Sequence, residues 1–244
     1  MELRKITDRV WYSVFEEERD RPCLGYIKGD NWSLAVDAGH SAAHVKEFYC
    51  ALEKEGLPLP SLTVITHWHW DHAFGMHSIA GLSVANSRTK QHLEEFDTIV
   101  RTEGVNRFFD LDPSIRKEYA SGEAVVIVPA DIVFKDRLSL DMGKVTALLS
   151  TCPSPHTDDT TLVFIPEERI LFVGDAISGV FPTWERDPEK TRMLLDEIRT
   201  FDVDHVLGGH WHVFQKDELI GVLEAEINPA VSAEECRGHN QQAE

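Results

Sequence analysis

His67-Trp68-His69-Trp70-Asp71-His72, set directly behind the apolar run Leu62-Thr63-Val64-Ile65-Thr66, is the stretch from which the rest of this chain is read. It places four potential metal ligands at the end of a predicted strand. A strand sends alternate side chains to one face, so His67, His69 and Asp71 are expected to share a side, with the turn into Ala73-Phe74-Gly75 swinging His72 in beside them. Histidines packed this densely make poor core residues, because each buried ring nitrogen needs a partner. Imidazole and carboxylate suit zinc first, with manganese or iron open, since no thiolate sits in the run.

Working outward, three more potential ligands follow apolar segments: His156 after Val145–Thr151, Asp175 after Ile170–Gly174 and His210 after Val206–Gly209. Strand ends are where a sheet scaffold holds ligands rigidly. The flanking pattern is strand-rich. Val10–Phe15, Cys23–Ile27 and Trp32–Val36 predict an antiparallel meander, and Ser41 caps a helix carrying Val45, Phe48 and Leu52 on one face. A strand is expected at Leu82–Asn86, then a charged helical stretch from Ser87 to Glu123 with exposed Phe108 and Phe109. From Ala124 the strand rhythm returns at Val125–Val128, Ile132–Phe134, Leu138–Leu140, Val145–Thr151, Thr161–Ile165 and Ile170–Val173, which implies a second sheet. Pro188 opens a helix through Met193, Leu194, Glu197 and Ile198 whose apolar residues are expected to face inward. His205–Leu207 reads as a last strand, and a helix runs from about Asp217 to Glu226.

At 244 residues, 42% hydrophobic and 27% charged, the chain fits one large domain over residues 1–230, with a flexible tail over 231–244. A net charge of −18 makes nucleic acid an improbable partner. No apolar stretch approaches the roughly 20 residues of a membrane helix, and no signal core follows Met1, so a cytoplasmic protein with no membrane partner is expected. Cys23, Cys50, Cys152 and Cys236 are spaced as free thiols. Oligomeric state is not legible.

With the seven ligands in order after Asp37, the chain resembles the metallo-β-lactamase-fold hydrolases over nearly its whole length. That resemblance implies a four-layer αβ/βα sandwich, an α/β fold that periodicity alone does not reveal. It assigns His67, His69 and His156 to one divalent metal, and Asp71, His72 and His210 to a second, with Asp175 bridging. Asp37 would orient a ligand loop; a plain turn aspartate is the alternative. The implied chemistry is hydrolysis of a small-molecule ester, thioester, lactone or related bond by a hydroxide bridging the two metals, with Asp71 taking or relaying its proton.

By the same resemblance, Asp175 points to the thioesterase (glyoxalase II-like), lactonase and phosphodiesterase branches and away from true β-lactamases, which put cysteine or serine near that point. Glutathione thioesters are discounted because the carboxyl-terminal region offers only Lys216 and Arg237 among many glutamates. Two alternatives stay open within the fold: a mononuclear iron persulfide dioxygenase and a phosphodiesterase. A flavodiiron oxygen reductase is weaker, since such proteins usually carry glutamate where His69 stands.

The long spacer between His72 and His156 places Ser87–Glu123 as an inserted lid or as a surface excursion. Asp158 and Asp159, beside His156, are read as an acceptor tuning His156 or His210, a contact for a cationic substrate group, or an Asx turn. Trp70, Phe181 and Trp184 are candidates for the pocket wall, with Trp68 and Trp211 nearby. His212 reads as a surface or supporting histidine, and His40, His44, His77, His92, His205 and His239 have no ligand-like context.

Overall fold

The computed structural model describes residues 1–227; the expected tail beyond Asn228, with Cys236, Arg237 and His239, lies outside the described residues. Two mixed sheets stack face to face with helices on both outer surfaces, the α/β sandwich expected. The first sheet runs in the order β1 (Leu3–Lys5), β2 (Val10–Ser13), β3 (Gly25–Lys28), β4 (Ser33–Val36), β5 (Leu62–Val64), β6 (Leu82–Asn86) and β7 (Ile132–Phe134). Its first four strands form the antiparallel meander, and β4 to β7 pair in parallel. In the second sheet, β8 (Arg137–Asp141), β9 (Thr146–Thr151), β10 (Thr161–Ile165), β11 (Ile170–Gly174), β12 (His205–Gly208) and β13 (Val213–Gln215) are neighbours in sequence order. All of its pairs are antiparallel except β11 with β12.

Both faces of the inner strands are buried, so their sequences read as unbroken apolar runs rather than alternations. On β11, Ile170 and Phe172 join Val36, Val64 and Val163 between the sheets. The alternate residues Leu171 and Val173 face out under Leu194, Leu195 and Ile198 of α6 (Pro188–Thr200) and Leu219 and Leu223 of α7 (Lys216–Ile227). On the opposite surface, Phe48 and Leu52 of α1 (Ala42–Lys54) cover Tyr26 and Ala35. Ser41 caps α1 by accepting from the His44 N–H. Asp187 caps α6 by accepting from the Glu189 and Lys190 N–H groups.

Several expectations change. Val125–Val128 forms no ladder; Val125 and Val128 instead pack against a further apolar cluster, around Trp70 and Phe108. Ile132–Phe134 joins the first sheet beside β6 rather than founding the second. His205–Gly208 is not the last strand, because Val213–Gln215 pairs with it. Met193 is 48% exposed, and Thr191 with Leu195 takes the inward positions of α6 beside Leu194 and Ile198.

Residues 87–123 carry α3 (Ser87–Glu103), α4 (Val105–Phe109) and α5 (Pro113–Glu118). Phe108 is fully buried, contrary to expectation, because these helices share one core with Trp70, Phe74, Leu93, Ile115 and Tyr119. A buried ion pair fixes α5 to the amino-terminal meander: Arg21 donates to both carboxylate oxygens of Glu118, at 2.7 and 2.9 Å, and to Glu47 at 2.9 Å.

Candidate metal centre

The sheet ladder of β5 stops because Asp37 takes over its next backbone donor. The Thr66 N–H and hydroxyl donate to Asp37 at 2.7 and 2.9 Å, so the chain leaves the sheet before His67. His67, Trp68 and His69 therefore lie in a loop, and Asp71 and His72 in the first turn of the short helix α2 (Trp70–Ala73). This corrects the expected strand-like alternation: helical geometry turns Asp71 toward the same point as His72, away from His67 and His69. The short helix also begins at Trp70 rather than His72.

Two groups of ligand atoms result. His67, His69 and His156 present nitrogens within 4.8 Å of one another, and Asp71, His72, Asp175 and His210 do the same. The groups abut. His156 Nε2 lies 2.9 Å from His69 Nδ1 and 3.8 Å from Asp175 Oδ2, while the same Asp175 oxygen is 3.2 Å from His210 Nε2. His72 Nε2 sits 3.2 Å from Asp71 and 3.4 Å from Asp175 without hydrogen-bond geometry to either. His67 Nε2, His72 Nε2 and Asp175 Oδ1 are buried and have no hydrogen-bond partner. Orphaned donors and acceptors at this depth are costly, and their convergence fits divalent cations.

Four of the remaining ring nitrogens are anchored. His72 Nδ1 meets Asp37 at 2.8 Å, His156 Nδ1 meets the Gly179 carbonyl at 2.7 Å, and His67 Nδ1 meets the Thr66 hydroxyl at 3.1 Å. His210 Nδ1 lies 3.2 Å from Asp20. Such partners fix the tautomer and ring orientation of a ligating histidine. Asp20 escapes sequence reasoning because it sits in the charge run Glu16–Arg21, where nothing local separates it from solvated neighbours. Gly209 has a comparable hidden role: a Cβ there would stand 2.4 Å from Asp175 Oδ1, so only glycine lets the His210 loop pass the site.

Asp159 touches neither His156 nor His210. Its Oδ2 accepts from the Trp68 N–H and the Thr89 hydroxyl, both at 2.8 Å, and so props the His67–His69 loop from behind. Asp158 turns outward to Arg88 and His92, each at 2.6 Å. His92, Asp158 and Asp159 form a third ligand-like group, although the sequence around His92 suggests no such role. His212 is exposed beside Glu218. Trp70, Phe181, Trp184 and Trp211 line a cavity of about 440 Å³ over the ligands, together with Phe15, while Trp68 packs away from it against His92 and Phe96. Asp112 and Ser114 bring the 87–123 segment into the same wall.

The profile of the metallo-beta-lactamase superfamily matches residues 26–210. The chain belongs to this superfamily. A Caenorhabditis elegans relative described as "Beta-lactamase-like protein 2 homolog" is 27% identical over 186 residues, 75% of this chain and 53% of the relative. The chain thus spans about half the length of that curated relative. Among solved structures, a metallo-beta-lactamase from Pontibacter korlensis superposes with a TM-score of 0.64 at 16% identity, over 91% of this chain and 97% of that one. The stereoselective inverting sec-alkylsulfatase Pisa1 from Pseudomonas sp. gives 0.71 at 15% identity, over 93% and 41%. At these identities the likeness concerns the fold alone.

The two halves of this superfamily site differ in charge. Burial pushes His69 down to about 3 and His67 well below its ordinary range, so both rings are neutral and ready to ligate. Burial also disfavours charge on His72 and His210, but it is outweighed: Asp71, Asp175 and Asp37 hold His72 well above its ordinary value, and Asp175, Asp20 and Asp71 do so for His210. Without metal, these two rings keep their protons above the pH at which a free imidazole loses them. A metal entering the second group must displace those protons, so its affinity is expected to rise with pH, with proton release at that step. Calorimetric titration in buffers of different ionisation enthalpy measures the release; a pH-independent affinity contradicts it.

Asp37→Ala removes the acceptor of both His72 and Thr66. Metal affinity is expected to fall about 10–100-fold. Competition with a chromophoric chelator measures the change, and an unaltered affinity removes the anchoring role.

Proposed function

We propose that the protein is a dinuclear metal-dependent hydrolase of a small ester, thioester, lactone or related substrate, with zinc the leading metal and manganese or iron the alternatives. The observation that carries this reading is the pair of complete, abutting ligand groups joined at Asp175, with three orphaned buried atoms between them. When bound there, divalent ions supply Lewis acidity for the bond under attack and bring the acidity of water to about pH 7.

The chain's own residues do the rest. His72 and His210 are held in register by Asp37 and Asp20, so the second group keeps its shape while substrate enters. Asp71 Oδ2, 3.0 Å from His210 Nε2, is placed to accept the proton of the attacking water and return it to the leaving group. Phe15, Trp70, Phe181, Trp184 and Trp211 wall the cavity with apolar surface, which restricts bulk water and favours a partly apolar substrate. Among the described residues no lysine or arginine lines that cavity, and Lys216 spends its ammonium on the Arg199 and Phe201 carbonyls, which supports discounting glutathione thioesters.

Elemental analysis of protein purified without added metal tests the proposal. About two zinc or manganese ions per chain, lost to a chelator together with turnover on ester, thioester, lactone and phosphodiester panels and regained on readdition, is the expected result. A single iron with persulfide-dependent oxygen consumption would replace it with the dioxygenase reading.

A further inference from the structure

Resting on the hydrolase reading and deepening it, we infer that the substrate carries a cationic group, an ammonium or quaternary ammonium, on one side of the scissile bond. Three features of the cavity over the ligands point there. Among the described residues its charged lining outside the ligand groups is entirely acidic: Glu17 and Asp20 enter from the turn after β2, and Asp112 from the start of α5. Asp20 is engaged with His210, but Glu17 and Asp112 have no cationic side chain against them among the described residues. The arginines flanking Asp20 in sequence are committed elsewhere, Arg19 to Glu16 and Arg21 to Glu118 and Glu47.

The second feature is aromatic. Trp184 is 56% exposed yet held in place: its backbone is in the left-handed region at φ 57°, its N–H donates to the Val180 carbonyl at 2.7 Å, and its ring stacks near His156 at 14°. A Cβ on Gly179 would meet the Trp184 carbonyl oxygen at 2.0 Å, so the turn closes only around glycine. A large apolar residue kept exposed on a strained turn, 5.7 Å from Phe181, serves a ligand better than it serves the core. Faces of Trp and Phe attract cations through their quadrupoles, and nearby carboxylates add a long-range term.

Third, the wall holds unspent hydrogen-bonding groups. Trp70 Nε1 and Ser114 Oγ are buried and without partners, on residues that both line the cavity. Among the described residues an anionic substrate group would find no lysine or arginine in this lining to receive it.

The test is binding before turnover, on the metal-loaded protein. Choline, its neutral isostere 3,3-dimethylbutanol and the anionic 3,3-dimethylbutanoate are titrated by calorimetry and by tryptophan fluorescence. Choline is expected to bind roughly tenfold or more tightly than the other two, with the preference shrinking at high salt. Glu17→Gln, at an exposed position that puts no fold at risk, and Glu17→Gln with Asp112→Asn should each reduce the preference. Equal or tighter binding of the neutral or anionic probe, no measurable binding of choline, or a preference untouched by both variants overturns the inference. Hydrolysis of choline and dimethylbutyl esters is then compared. Cation-selective binding without hydrolysis of any ester sinks the hydrolase reading and leaves the cation site; hydrolysis without cation preference does the reverse.

Discussion

Asp71→Ala is expected to lower turnover by roughly 10²–10⁴-fold, the range that a positioned proton acceptor contributes. The carboxylate has two duties in the geometry. Its Oδ2 lies 3.0 Å from His210 Nε2 and 3.2 Å from His72 Nε2, so it belongs to the ligand group, and it lines the cavity where substrate must sit. Burial pushes its pKa up, but in the metal-free site His72 and His210 outweigh burial and hold it well below the ordinary carboxylate range. Separating the two duties requires the metal content of the variant. Asp71→Asn keeps an oxygen for ligation and removes the basic site, so its turnover should fall about as far even where its metal content is normal. Near-native turnover in a fully metallated Asp71→Ala protein would refute the proton role.

The second large effect concerns stability. Glu118→Ala leaves the Arg21 guanidinium, 1% exposed, without its bidentate partner, and the loss is expected to reach about 3–5 kcal/mol. Glu118 also accepts from the Ser41 hydroxyl, which itself caps α1, so the same variant loosens a helix start. Urea unfolding of the metal-loaded protein reads the change; a loss under about 1 kcal/mol would show that Glu47 alone satisfies Arg21. The pH dependence follows the same pair. Burial raises the Glu118 pKa, but its hydrogen bonds to Arg21 and Ser41 outweigh burial and bring it below the ordinary glutamate value. Because the folded value is depressed, the stabilisation is present above the unfolded pKa of about 4.3 and disappears as pH falls through the folded value. In Glu118→Gln that acid-side loss should be smaller than in the parent.

The candidate ligand residues are legible in sequence because polar groups that end apolar runs have few structural duties; His156, Asp175 and His210 stand out for that reason. The supports behind them are less legible. Asp37 is found through a motif, but Asp20 and Asp159 act across the chain on His210 and Trp68, and their own neighbours in sequence look like ordinary turns. Long strands such as Thr161–Ile165 announce themselves by apolar content on both faces. Three-residue strands do not: Val213–Gln215 is a strand only because β12 offers it an edge, while Val125–Val128, with better propensity, has no edge to join. Phe108 misleads for the same reason, since the aromatic partners that bury it, Trp70 and Phe74, lie more than thirty positions earlier.

Arg21 and Glu118 also bear on how such a site can be diversified. The turn before Arg21 supplies Glu17 and Asp20 to the cavity, and the helix ending at Glu118 supplies Asp112 and Ser114, so one buried ion pair joins the two segments that shape its entrance. A chimera that exchanges residues 87–123 with those of a relative would import a new wall but strand the old arginine. In this chain, exchanging the wall therefore requires moving the helical segment and its partner at position 21 together, as a single inheritable cassette.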